Sequence, residues 1–354
     1  MNVSRHTPVF SMPLLVLVFL CFACAGGKEG PVGSRTISYY SDQTLVVPQK
    51  ISRIACGWNA QNSIIAMLGY GEQIVATTDM IRKSPIFGRF VPSIKNAAVC
   101  VSSSGTLNVE ELIKAKPDVV FLTENAGGQQ LQQIRQMGMP VALLKANSIK
   151  NLVERAEITG RILGDDAHAR ALKYVEYYNN NVKRVGERVS RIPQKQRIRV
   201  YHTMGSPFMT AAAPSLVQDW MDLAGVINVA ENWKLTSSSP GTASRNVDLE
   251  QIIAANPEVI VCMNSADAKT IRSGPAWKSI QAVKNGRVHV NPQGMFLWCR
   301  ESTEEALQFL WLAKTVYPSL FQDVDMEKET RHFYETFYGY RLSDDDVHLF
   351  LNPI

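Results

Sequence analysis

The chain has 354 residues, enough for two domains of roughly 100 to 200 residues each. Its 45% hydrophobic and 19% charged residues are the balance of a globular protein that buries its own core without metals or staples. The formal charge of +5 is spread along the chain, with no dense basic run and no RNA-binding aromatic pattern, which argues against nucleic acid as a partner.

Residues 1–25 read as a secretory signal. Arg5 and His6 precede the apolar run from Pro13 to Ala23, and the small residues Ala23, Cys24, Ala25 and Gly26 follow it. A membrane anchor, the other reading, needs about 20 apolar residues. Cleavage before Cys24 would leave it as a lipid-bearing N-terminus, although Cys21 stands where a bacterial lipoprotein signal normally has Leu. Four further cysteines remain: Cys56, Cys100, Cys262 and Cys299. Export permits disulfides, and pairing of 56 with 100 and 262 with 299 is one of three connectivities; four free thiols is the other reading.

Along the chain a short strand near Ile51–Cys56 is followed by a helical stretch ending at Leu68 and Gly69, then a strand over Gln73–Thr77. The stretch from Asn108 to Leu122 comes next: an amphipathic helix, Pro117 to stop it, and an apolar strand. A last strand covers Pro140–Leu144. The same order returns from Gln196–Tyr201 through the helical Ser215–Gly225 and the strand Val226–Ala230, to a near copy of the 108–122 stretch at 246–262, and to Arg287–Val290. Pro117 and Pro257 stand 140 residues apart, and the same spacing relates Glu110 to Glu250. Each half is therefore an alternating α/β lobe, most simply a mostly parallel sheet covered by helices.

Between the halves, Ala171, Val175, Tyr178, Val182, Val185, Val189 and Ile192 form one apolar stripe. The spacing predicts a helix from Asp165 to Ile192, spanning on the order of 40 Å and closed by Pro193. Ser302-Thr-Glu-Glu305 reads as a capping box opening a core helix through Tyr317, and a second helix is expected over Met326–Tyr338. The division is a signal segment at 1–25, a first lobe at 26–160, the connecting helix at 161–193 and a second lobe at 194–354.

The run Arg53-Ile-Ala-Cys-Gly-Trp-Asn-Ala-Gln-Asn through Gly69, with Asn108–Asp118, resembles the first lobe of substrate-binding proteins that serve ABC importers of iron–siderophore complexes, haem and cobalamin. Gly294–Arg300, Leu310–Pro318 and Phe333–Gly339 are similar to a subgroup described as iron-transport binding proteins. The likeness runs from about residue 36 to the end. It implies a fold of two duplicated Rossmann-like α/β lobes joined by a single long helix, with a ligand cleft between them. It also implies limited closure, the hinge motion by which periplasmic binding proteins shut around a ligand. It further implies a monomer that docks one glutamate of each lobe, matched by Glu110 and Glu250, into basic pockets of a permease dimer. A two-fold partner needs one acidic knob per lobe at equivalent places; the plainer reading is two first-turn acids favoured by the helix dipole.

Ligands of open α/β sheets bind beyond the carboxyl ends of the strands. Those ends nominate Trp58, Asn59, Thr78, Ser103 and Asn125 in the first lobe, and His202, Met204, Asn264, Phe296, Trp298 and Arg300 in the second. Aromatic faces with one guanidinium suit a flat anionic metal chelate. His202 could be an axial metal ligand, though a lone strand-end histidine more often serves structure. His6, His168, His289, His332 and His348 supply no converging set for a bare cation, so the metal is expected to arrive already chelated, as an iron(III) chelate. Ferric siderophore is the first expectation; corrinoid, haem or a nickel chelate are alternatives, and the family usually has Asp at the position of Cys299. No resident cofactor is expected. No Gly-x-Ser-x-Gly elbow, His-Glu-x-x-His helix, P-loop or dinucleotide fingerprint occurs, which argues against an enzyme. An exported metal-cofactor sensor or chaperone without a permease is the alternative of another class.

Overall fold

The computed structural model describes residues 33–234, 236–237 and 245–354. The signal segment and Cys24 lie outside these residues. The first lobe opens with an antiparallel hairpin of β1 (Ser34–Tyr39) and β2 (Gln43–Pro48). Five strands follow: β3 (Ile54–Cys56), β4 (Ile74–Thr78), β5 (Ala98–Val101), β6 (Val119–Thr123) and β7 (Val141–Leu144). They form one parallel sheet in the order β5-β4-β3-β6-β7. The second lobe contains β8 (Arg199–His202), β9 (Met209–Thr210), β10 (Ile227–Asn228), β11 (Thr236–Ser237), β12 (Arg245–Asn246), β13 (Val259–Cys262) and β14 (Val288–Val290). Its parallel sheet has the order β10-β8-β13-β14, and β11, β12 and β9 make a small antiparallel one.

The order β10-β8-β13-β14 repeats β4-β3-β6-β7, so the duplication read from the 108–122 stretch extends to the whole sheet. Val119–Leu122 and Val259–Cys262 are buried throughout, as parallel strands covered on both faces must be. The two copied helices, Val109–Ala115 and Leu249–Ala255, both stop at a left-handed residue, Lys116 and Asn256.

The predicted connector is a helix over Asp165–Val189, and it joins the two sheets in chain order. Its buried face is Ala167, Ala171, Tyr174, Tyr178, Asn181, Val185 and Val189, so Tyr174 and Asn181 replace the expected Val175 and Val182, which lie half-buried at the edge. The reason is polar: Tyr174 donates to the Thr303 carbonyl at 3.0 Å, Tyr178 to the Glu305 carboxyl at 3.1 Å, and Asn181 to the Ala306 carbonyl at 3.0 Å. Hydrogen-bonded amphipathic side chains are buried where a purely apolar count puts valines. The helix Ile149–Leu163 packs closely on the connector at Gly160, where a Cβ would stand 2.9 Å from both Ala171 Cβ and His168 Cα.

The lobes share more than this connector. The C-terminal helices Met326–Tyr338 and Asp344–Leu351 reach back to the first lobe, with Phe90 packed 5.1 Å from Tyr334 and Arg89 paired to Asp346 at 2.5 Å. Tyr338 also donates to the Ser63 carbonyl at 3.2 Å. Such a bridge restricts relative motion of the lobes more than one helix alone would.

The capping box expected at 302–305 is not formed. The helix runs over Glu305–Val316 with Glu304 at its cap, and buried Ser302 Oγ has no partner among the described residues. Glu304 instead accepts from the Phe296 amide, Thr303 Oγ1 and Tyr334 Oη. The helix is buried nearly all round, so its polar start is read by tertiary partners and not by its own first turn. The four described cysteines are free and buried, which is the free-thiol reading of the two that the sequence left open.

Burial raises the carboxyl pKa of Glu305 well above the usual range, against the Tyr178 hydrogen bond that lowers it. A carboxyl raised in the folded state contributes stability below its unfolded value near 4.5, and that contribution is lost as pH rises. Replacing Glu305 with Gln keeps the acceptor for Tyr178 and removes the penalty. Glu305→Gln is expected to be more stable than the parent at pH 7, with the gap closing toward pH 4.5. Urea unfolding at both pH values checks this; a variant that loses stability at pH 7 contradicts a destabilising buried carboxyl at position 305.

Candidate functional site in the cleft between the lobes

In each sheet the order reverses direction beside the first strand, between β3 and β6 and between β8 and β13, and ligands of such sheets sit at this switch point. Gly57 follows β3 because nothing larger fits: a Cβ there would lie 2.5 Å from Leu122 Cδ2. Trp58 then stands in extended conformation ahead of the helix Asn59–Ile65. Polar side chains hold that helix: Asn62 donates to the Trp58 carbonyl at 2.8 Å and accepts from Thr77, and Gln61 donates to Thr159 at 2.8 Å.

The Arg155 guanidinium lies 3.8 Å from the Trp58 ring centroid, a cation–π stack. Arg155 is fully buried and donates to the Glu301 carbonyl at 2.5 Å. Burial lowers its pKa and the nearby Glu301 carboxylate opposes that shift. Glu301 lies in the left-handed backbone region, as does Asn147 across the cleft. The Asn147 amide donates to the Glu301 carboxylate, and Asn147 Oδ1 accepts from Leu216 at the start of the helix Leu216–Leu223. The Ile149 amide donates to Asp219 at 2.9 Å. These contacts bind the two lobes at the floor of one cavity.

That cavity has a volume of about 710 Å³ and is lined from both lobes. Trp58, Thr123, Asn125 and Asn147 face it from the first; Met204, Pro214, Leu216, Trp233, Lys234, Cys299, Arg300 and Glu301 from the second. Arg300 and Lys234 bring positive charge, as does the N-terminal end of the helix beginning at Leu216. The Glu301 carboxylate is already engaged by Asn147. Burial pushes the Cys299 thiol up to about 12, so it presents a neutral surface. Two indoles and a net cationic wall suit an anion with flat or apolar parts.

Of the eleven residues nominated from strand ends, Trp58, Asn125, Met204 and Arg300 line this cleft. The other seven do not. Thr78 donates to Asn59 at 2.6 Å, so each satisfies the other. Ser103 is exposed and donates to Asp79. Asn264 caps the helix Ser265–Ser273, accepting from the Asp267 amide at 2.8 Å. Phe296 is half-buried, and Trp298 is fully buried with its Nε1 unpartnered among the described residues. His202 is fully buried, edge-on to Trp220 at 5.1 Å, with neither ring nitrogen hydrogen-bonded among the described residues. An axial role toward a ligand in the cleft is corrected accordingly: the imidazole is walled off by the second lobe's core. Three cleft positions outside those eleven, Asn147, Trp233 and Lys234, follow β7 and β10, so the same strand-end rule points to them. Arg155 carries no such signal, because it lies inside a helix.

A model of the periplasmic binding protein family matches residues 54–293, and the chain belongs to that family. Its members here are solute-binding proteins of ABC transporters, not enzymes. The chain is 26% identical to the molybdate-binding protein MolA of Haemophilus influenzae over 89% of its own length and 94% of the relative's. It is 22% identical to the iron(3+)-hydroxamate-binding protein FhuD of Bacillus subtilis, with 84% and 94% covered. A crystal structure of a periplasmic solute-binding protein from Veillonella parvula shares the fold at a TM-score of 0.78 and 23% identity, covering 90% of this chain and 97% of that one. Among the described residues, no helix is long and apolar enough to cross a membrane.

Burial lowers the His202 pKa from 6.5 to about 3, with the Arg300 charge acting in the same direction. A histidine depressed in the folded state contributes stability above its unfolded value that is lost as pH falls toward the folded one. The window is therefore pH 6.5 down to about 3. His202→Phe is expected to lose about 2 kcal/mol less than the parent between pH 7 and pH 5. Denaturant midpoints at the two pH values measure the difference, and equal acid sensitivity would show that His202 is protonated in place.

Proposed function

We propose that this protein is the exported carrier of an ABC importer, capturing an anionic metal-containing ligand in the inter-lobe cleft, with a ferric siderophore as the first candidate. The observation that carries this reading is the cleft's combination of Trp58 and Trp233 with Arg300 and Lys234 in about 710 Å³. That volume lies within the roughly 300 to 1,000 Å³ of sites for drug-sized ligands and far exceeds the volume of a bare oxyanion. Planar catecholate or carboxylate oxygens suit a guanidinium fork, and aromatic walls suit the organic part of a chelate. A tetrahedral oxyanion such as molybdate is the second reading, favoured by the likeness to MolA and by the same cationic wall. Corrinoid, haem and nickel chelates are further candidates.

Export rests on the signal read at residues 1–25, with Cys24 as a candidate lipid attachment point. Delivery is assigned to Glu110 and Glu250, both exposed in the first turns of the copied helices, one on each lobe. The protein acts as a monomer, docking on a permease dimer.

Calorimetric titration of the leaderless protein against ferric catecholate, ferric hydroxamate, haem, cobalamin, nickel–histidine and molybdate tests the ligand. Submicromolar binding of one ferric chelate is expected, weakened at least about tenfold in Arg300→Ala. Tight molybdate binding with no response to ferric chelates would establish the second reading. For docking, the double charge reversal Glu110→Lys/Glu250→Lys is expected to abolish uptake in cells while ligand affinity holds; undiminished uptake would remove the docking assignment and favour a sensor or chaperone.

A further inference from the structure

Nine large hydrophobic side chains are exposed among the described residues, and just one pair of them is related by the 140-residue repeat: Ile113 and Ile253. We propose that Ile113 and Ile253 are paired apolar contact points that seat the protein on the two equivalent subunits of its permease, each beside a docking glutamate. This rests on the importer reading above and adds to it the apolar half of the interface.

The local structure around the two isoleucines is the same twice over. Both helices have seven residues and stop at a left-handed residue. An arginine from the preceding strand region braces each end: Arg53 donates to the Ala115 carbonyl at 2.6 Å and Arg199 to the Ala255 carbonyl at 2.7 Å. In each, the inward anchor is fully buried, Leu112 or Ile252, and the next residue faces out, Ile113 at 40% exposure and Ile253 at 36%. Ile113 lies three residues after Glu110, and Ile253 three after Glu250, so each Glu–Ile pair shares one helix face.

The exposed positions of these helices include 110 and 114 in one and 250 and 254 in the other, beside the two isoleucines. Glu and Ile recur; Lys114 has become Ala254. A single exposed isoleucine needs no explanation. Two at equivalent positions, in a motif whose neighbouring exposed residue has diverged, fit a partner that presents the same surface twice. Heterodimeric or asymmetric partners would not select for that match, whereas a symmetric membrane dimer does. On the first lobe, Glu110 and Ile113 also border a shallow depression with Leu107 and Val109, room for a side chain of the partner.

The test uses the permease–ATPase complex that the wild-type protein stimulates, in phospholipid vesicles, with ATP hydrolysis followed against carrier concentration. Ile113→Ser and Ile253→Ser should each raise the half-maximal carrier concentration about threefold to tenfold, with the double variant near the product. Thermal midpoint and ligand affinity should match wild type, since both side chains are exposed. An unchanged double isoleucine variant beside a failing Glu110→Lys/Glu250→Lys variant overturns this proposal and leaves the importer reading standing. An effect from just one isoleucine overturns the pairing. No stimulation by the wild-type protein with any permease–ATPase complex removes the importer reading and this proposal with it.

Discussion

The connecting helix is held by a buried set of hydrogen bonds, and the geometry of both lobes follows from it. Tyr174, Tyr178 and Asn181 reach from that helix to Thr303, Glu305 and Ala306 at the start of the helix Glu305–Val316. Buried polar groups are strongly penalised when unpaired, so these bonds fix one rotation and one register of the helix against the second lobe. Arg155 continues the same line. It is buried beneath Trp58 and bonded to Glu301, so the first lobe's aromatic wall and the second lobe's Arg300 segment are tied through a single side chain. Chain connectivity alone would permit many orientations of the lobes; these contacts select one.

On that frame, duplication produces a shared scaffold and an unshared site. The sheets have matching strand order, matching switch points and matching helices at 109–115 and 249–255. The cleft residues have no such symmetry: the first lobe brings Trp58 and Asn147, the second Met204 and Glu301. A ligand is read once, by different side chains from each side, whereas a two-fold partner would be read twice by the same ones. The repeated surface and the unrepeated cleft therefore point to different kinds of partner.

The fold was largely legible in the sequence because its signals are local. The apolar runs 119–122 and 259–262, the prolines that stop the helices and the 140-residue repeat all report on nearby backbone. The connector's extent was legible too, but its buried face was not, since Tyr174 and Asn181 are buried by partners more than 120 residues away. Ser302 to Glu305 failed as a capping box for a related reason: the Glu304 and Glu305 carboxyls are taken by Tyr334 and Tyr178, and the helix starts at Glu305, which leaves Ser302 outside its first turn. The cleft was half legible. Of the residues nominated from strand ends, Trp58, Asn125, Met204 and Arg300 line the cavity, but a strand-end position cannot say whether a side chain turns to the cleft or the core. His202 and Trp298 turn to the core, and Arg155 enters the site's electrostatics from inside a helix, where no strand-end rule looks.

On the reading proposed here, a metal-containing anion sits between Trp58 of one lobe and Arg300 of the other. Anomalous scattering at the metal edge, from crystals of the protein grown with whichever ferric chelate or molybdate it binds, locates that metal directly. One strong peak is expected inside the cavity bounded by Trp58, Trp233, Lys234 and Arg300. A peak outside this cavity, or binding in solution with the cleft empty, would contradict that placement.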